Sequence, residues 1–215
     1  MAEISIQKLG DSCLLVDVNG HRALLDPGFY AWEHERIDLA AMPAPDRLLI
    51  THGHQDHLSI EFVQALVAAF PDMVVETNEE VAGGLAEAGI DATTHSTDWT
   101  AQFSAPHEPT PMGSQPPHNV GFTVGGVFVH PGDSYTFDAS PLVLALPILP
   151  PWGSTTEAVN LAKRIRPRHV IPIHDWHLTE DGKKWVYGTA IRGLAEDGIT
   201  FLPLDDFESV TIDLD

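Results

Sequence analysis

The segment Thr51-His52-Gly53-His54-Gln55-Asp56-His57 places three imidazoles and a carboxylate within six residues. Imidazole nitrogen and carboxylate oxygen are good ligands for zinc and related first-row ions. In an extended chain His52 and His54 point to the same side, and Asp56 and His57 can reach a neighbouring point once the chain turns. The apolar run 48–50 reads as a buried strand before the segment, and Ser59 as the cap of a helix after it. That setting argues for a built metal loop over a surface histidine cluster. The lone cysteine, Cys13, leaves nitrogen and oxygen as the metal donors. It also excludes an internal disulfide, which fits a reducing cytoplasm.

The surrounding elements must position this loop. Extended runs at 4–8, 13–18 and 22–25 are separated by Gly10-Asp11 and Asn19-Gly20, and Asn-Gly between apolar runs signals a hairpin. The loop 26–46, with Phe29, Tyr30 and Trp32, is long enough to cover something or to hold a short helix. After the Ser59-capped helix, 73–76 reads as a strand and 78–88 as a helix ended by Gly89. Strands are expected at 103–106, 120–124 and 127–130, with Gly125-Gly126 as a turn and the proline-rich 108–117 as a loop. A strand at 142–149, a helix opened by Ser154 and Glu157 and stopped by Pro167, and a strand at 170–173 follow. Two halves of similar order result. The reading is α/β: a four-layer αββα sandwich, two mixed β-sheets flanked by helices, in one domain over residues 1–215.

Composition bounds the partners. Eleven basic against 31 acidic residues give a formal charge of −20, which repels phosphate backbones and anionic membranes. The longest apolar runs fall short of a membrane span, and the first ten residues lack the pattern of a secretory signal. The expectation is a cytoplasmic protein acting on a small molecule, with no nucleic-acid or membrane partner; the oligomeric state is left open.

The string His52-x-His54-x-Asp56-His57 resembles the signature of the metallo-β-lactamase superfamily. The resemblance extends to His107 in Ala105-Pro106-His107, Asp133 in His130-Pro131-Gly132-Asp133-Ser134, and His174 in Ile171-Pro172-Ile173-His174. The last two elements are similar to those of the ascorbate-6-phosphate lactonase-like branch. Glu108 departs from that branch, which commonly has glycine there; it would set an acidic side chain beside the metals and narrow the substrate range.

The resemblance implies a fold with its site at the edge of the two sheets. It also implies two divalent ions: His52, His54 and His107 for one, Asp56, His57 and His174 for the other, Asp133 bridging. Zinc is the default, with manganese, iron and nickel as alternatives. Paired ions roughly 3.5–4 Å apart can bridge a hydroxide that attacks a carbonyl or phosphoryl centre. Asp56 would orient the water and accept its proton, and His118 would hydrogen-bond substrate. His130 reads as a supporting group behind the ligands, and His177 as a rival ligand. His21, His34, His95 and His169 read as surface residues. With no basic residue in the ligand segments, the expected substrate is a small ester, lactone or amide with an apolar part against Phe29, Tyr30 or Trp32. A phosphodiesterase and a non-enzymatic metal-binding scaffold are the alternatives.

Overall fold

Along β1 (Glu3–Gly10), Ile4 and Ile6 are buried while Ser5 and Gln7 are half-buried, an alternation that gives the strand one core face. The Asn19-Gly20 turn, with φ of 54° and 88°, returns β2 (Cys13–Val18) antiparallel onto β3 (His21–Leu25). The chain then changes mode. β4 (Arg47–Ile50) and β5 (Val74–Thr77) lie parallel to β3, reached through α1 (Phe29–Glu33) and α2 (Ile60–Ala69). α3 (Glu79–Glu87) follows, capped by Asn78.

The second half repeats this order. β6 (Thr100–Ser104), β7 (Val120–Val124) and β8 (Phe128–His130) are antiparallel; β9 (Val143–Pro147) and β10 (His169–Ile173) continue in parallel, linked by α4 (Thr155–Ile165). α5 (Glu180–Ala195) leads to β11 (Thr200–Phe201), and β12 (Ser209–Asp213) crosses back to pair antiparallel with β1. The sheets run β12-β1-β2-β3-β4-β5 and β11-β10-β9-β8-β7-β6. This is the structure as a computed structural model, and it describes residues 2–33, 37–111, 113 and 115–214.

Three apolar layers bind the stack. Ile6, Leu14, Phe122, Phe128 and Ile171 meet between the sheets. Phe62, Leu66 and Leu85 pack the first helical layer on Leu48 and Ile50, and Leu161, Ala190 and Leu194 pack the second on Leu144 and Val170. The expected helix, sheet, sheet, helix order is the one found.

Three local readings differ. The strand expected over 103–106 is β6, which ends at Ser104; Pro106 has no N–H to extend a ladder. The loop after β3 does contain a short helix, α1. The elements after residue 177 were not anticipated: Gly182, Gly188 and Gly193 and the exposed Trp185 and Ile191 blur the helical pattern of α5. Since β6, β8 and β10 run in one direction, their carboxyl ends, with that of β4, open at one rim of the sandwich.

Candidate metal centre

Each expected ligand leaves the end of a strand at that rim. His52, His54, Asp56 and His57 follow β4, His107 follows β6, Asp133 follows β8 and His174 follows β10. The loop after β4 is braced by the turn after β3. Phe29 N–H donates to the Gln55 carbonyl at 2.8 Å, and Ser59 N–H to the Pro27 carbonyl at 2.8 Å. Gly28 is needed at that crossing, because a Cβ there would overlap the Asp56 carbonyl.

Seven side chains form two groups. In the first, His54 Nδ1 lies 3.1 Å from His52 Nε2 and 3.2 Å from His107 Nε2. In the second, His57 Nε2 is 3.1 Å from His174 Nε2, and Asp56 Oδ2 is 3.8 Å from His57 Nε2. Asp133 stands between them. Its Oδ2 is 3.3 Å from His107 Nε2, and its Oδ1 is 2.9 Å from His57 Nε2 and 2.7 Å from His174 Nε2. Although buried, that Oδ1 has no hydrogen-bond partner. Imidazole nitrogens facing one another across a buried carboxylate with an unsatisfied oxygen are a donor set that fits divalent cations.

The aim of these rings is set from behind. Asp26 Oδ2 accepts from His57 Nδ1 at 2.6 Å and from the Thr51 hydroxyl at 2.8 Å; its Oδ1 accepts from Thr51 N–H at 2.8 Å. With its proton spent on Asp26, the Thr51 oxygen accepts from His52 Nδ1 at 3.0 Å. One carboxylate thus holds two imidazoles in the tautomer that points Nε2 into the site. His107 Nδ1 donates to the Glu108 carbonyl at 2.6 Å. His174 sits in the left-handed region, φ 59°, and the next residue's N–H donates to Asp11 Oδ1 at 3.2 Å.

The electrostatics follow from this crowding. Burial alone would raise the Asp133 carboxyl, but His174, His57 and His52 outweigh it and hold it well below the usual carboxylate range. Burial opposes charge on His57 and His174 too. Asp133 and Asp26 nevertheless lift His57 well above the ordinary histidine value, and Asp133 and Asp11 push His174 up to about 9. His52 is driven well below its usual value by burial, then by His57.

The other expected residues separate clearly. His130 is buried behind the ligands; its Nε2 donates to the Ser12 carbonyl at 3.1 Å and its Nδ1 accepts from Gly132 N–H at 3.2 Å. His118 is not brought into either group. It is exposed, and its hydrogen bonds are backbone ones to the side chains of Glu80 and Asn78. Its neighbour Asn119 supports the site instead: Nδ2 donates to the carbonyls of Ala105 (2.6 Å) and Pro131 (2.9 Å), and Oδ1 accepts from Asp133 N–H at 3.2 Å. His177 is exposed beside Trp176 and joins neither group. His21 and His95 are exposed and His169 is half-buried, while His34 lies outside the described residues. The Glu108 carboxylate points away from the ligands and accepts from Tyr135 N–H and the Thr136 hydroxyl, both at 2.9 Å. Trp32 stacks on Phe62 in the helical layer and leaves Phe29, Tyr30 and Trp176 as the aromatic edge.

Besides Asn119, three contributors escaped the sequence reading. Asp26 follows β3 as Asp133 follows β8, so the internal repeat pointed to it. Lys8 shares the inward register of Ile4 and Ile6. Trp152, in Pro150-Pro151-Trp152-Gly153, sits after β9, between two ligand-bearing strand ends, and donates from Nε1 to Asp133 Oδ2 at 2.6 Å. It lines a cavity of about 530 Å³ with Phe29, His54, Gln55, Asp56, Thr110 and Asp133.

A family model described as the beta-lactamase superfamily domain matches residues 5–174. Among curated relatives, the protein Rv0786c of Mycobacterium tuberculosis is 26% identical over 203 residues, covering 86% of this chain and 90% of that one. A UPF0173 metal-dependent hydrolase of Pyrobaculum calidifontis is 28% identical over 192 residues, covering 80% and 84%. Igni18, a metallo hydrolase from Ignicoccus hospitalis, superposes with a TM-score of 0.72 at 18% identity, covering 99% and 100%.

Proposed function

Because the chain belongs to the metallo-β-lactamase superfamily and is a metal-dependent hydrolase, we propose that it uses two divalent ions to cleave a small ester, lactone or amide. The observation that carries this reading is the Asp133 carboxylate, with one oxygen toward each ligand group. His52, His54 and His107 would hold one ion and Asp56, His57 and His174 the other, with Asp133 shared between them. When bound, such ions act as Lewis acids that polarise the substrate oxygen and acidify a water near neutral pH.

The chain's own groups do the rest. Asp56, whose side chain is 26% exposed where the buried ligands are near zero, lines the cavity and would accept the water's proton. Phe29 and Trp152 pack the apolar part of the substrate and exclude bulk water. Among the described lining residues there is no lysine or arginine, whereas an anionic phosphate substrate would ordinarily meet a cationic clamp. The His130-Pro131-Gly132-Asp133-Ser134 and Pro172-Ile173-His174 elements favour the ascorbate-6-phosphate lactonase-like branch, zinc is the first choice of metal, and the lone buried cysteine suits the cytoplasm. We read residues 1–215 as one hydrolase domain.

The test joins metal analysis of untagged protein to a substrate panel. Two ions per chain and turnover of lactones or aryl esters are expected. Turnover of a chromogenic phosphodiester alone would overturn the substrate class, and protein without bound metal after incubation with zinc would overturn the reading as a whole.

A further inference from the structure

We propose that Trp152 is the positioning residue of the metal centre: its indole N–H fixes the plane of the Asp133 carboxylate so that each oxygen faces one ligand group. This rests on the two-ion reading above. Asp133 Oδ2 accepts from Trp152 Nε1 at 2.6 Å, while Oδ1, on the His57 and His174 side, has no hydrogen-bond partner. The ion-pair contacts within 4.0 Å of that carboxylate, among the described residues, come from His52, His57, His107 and His174, all of them candidate ligands. A nitrogen that donates its lone pair to a metal presents no N–H to the carboxylate. Indole nitrogen is a donor only and cannot ligate. Trp152 is therefore the contact that persists whether or not the histidines are engaged.

The indole is itself held. Tyr135 packs edge-on against it with ring centroids 4.8 Å apart, and the Tyr135 hydroxyl donates to the Pro147 carbonyl at 2.8 Å. Tyr135 N–H donates to Glu108, whose own N–H donates to the Asp133 carbonyl at 2.9 Å. Glu108, Tyr135 and Trp152 thus close a ring of contacts that begins and ends on Asp133. The acidic residue after His107 serves this brace.

A carboxylate free to rotate about its last bond no longer offers both oxygens at once, and loss of such a supporting contact typically weakens metal binding by about 10- to 100-fold. Metal affinity is read by competition with a chromogenic chelator on the full chain, independently of turnover. Trp152→Phe is expected to weaken zinc binding at least tenfold, whereas Trp185→Phe, which removes an exposed indole on α5, leaves it unchanged. To separate the donor from the packing, 3-benzothienylalanine at position 152 keeps the two-ring shape and lacks only the N–H; 7-azatryptophan keeps the N–H. The first must reproduce the loss and the second must restore affinity. Wild-type affinity in the benzothienyl protein, or in Trp152→Phe, overturns the proposal while leaving the two-ion reading intact. Failure of the wild-type protein to bind zinc overturns both.

Discussion

At the scale of single residues, the centre depends on which nitrogen of each imidazole carries the proton. Asp26 decides this for His57 directly and for His52 through Thr51. Asp26→Asn replaces an acceptor with a group that must donate on one side, so either the amide faces the Thr51 N–H or the His57 ring and the Thr51 hydroxyl lose their acceptor. Metal affinity should fall by about 10- to 100-fold with the fold intact, as chelator competition and circular dichroism would register; unchanged affinity would remove Asp26 from the device. His174 makes a second prediction, for the chelated protein. Burial disfavours its charge, yet Asp133 and Asp11 raise it from 6.5 to about 9. A ring with a raised folded value stabilises the fold fully below the unfolded value and loses that contribution as pH rises through the folded one. The melting temperature of metal-free protein should therefore fall between pH 6.5 and 9, by on the order of 5 °C. Melting that is flat across that window would contradict the His174–Asp133 pairing.

At the scale of elements, the ligands are delivered by strand ends and the loops are then sewn together. Asn119 ties the loop before His107 to the turn before Asp133, and Gly132 lets that turn pass close by. Gly132 has φ 58°, and a Cβ there would press on Asn119 and Thr51. Gly132→Ala should cost about 2 kcal/mol or more, from left-handed strain and displaced neighbours together. Urea unfolding gives the value, and a cost below about 0.5 kcal/mol would mean the turn relaxes freely. Much of this level was readable from local chemistry. Ser59 and Ser154 cap their helices as expected, Asn78, expected as the first residue of its helix, is the cap before it, and the Asn19-Gly20 and Gly125-Gly126 turns sit between the strands they were expected to join. The ligand string could be read because its members carry distinctive side chains at fixed spacing. Asn119 and Trp152 could not, since an amide and an indole announce no chemistry until the fold sets them against Asp133. His118 was favoured over Asn119 for the same reason: histidine suggests function by type, whereas the buried neighbour acts by position.

At the scale of the whole molecule, one buried ion pair joins the two sheets beside the site. Lys8 on β1 reaches Asp175, the residue after His174, with Nζ 2.6 and 2.7 Å from its two oxygens, and donates to the Pro172 carbonyl at 3.0 Å. Both side chains are 0% exposed. Tyr187 from α5 donates its hydroxyl to the same carboxylate, which brings the second helical layer into the contact. Removing one partner of a buried pair costs up to about 3–5 kcal/mol, less here for loss of Lys8 because Lys183 Nζ lies 3.9 Å from the same carboxylate, whereas replacing both partners forfeits mainly the packing. Lys8→Met should therefore be more destabilising than the double variant Lys8→Met with Asp175→Asn, in which no charge is left unpaired. Urea unfolding of the two single variants and the double closes the cycle, and the double should recover more than half of the Lys8→Met loss. Strictly additive losses would show that Lys8 and Asp175 are not coupled, and the rim would then be held by apolar packing between the sheets alone. Because Asp175 adjoins His174, coupling has a second signature. Lys8→Met should weaken zinc binding even in conditions where the variant is fully folded, and Asp175→Asn in the same background should return part of it.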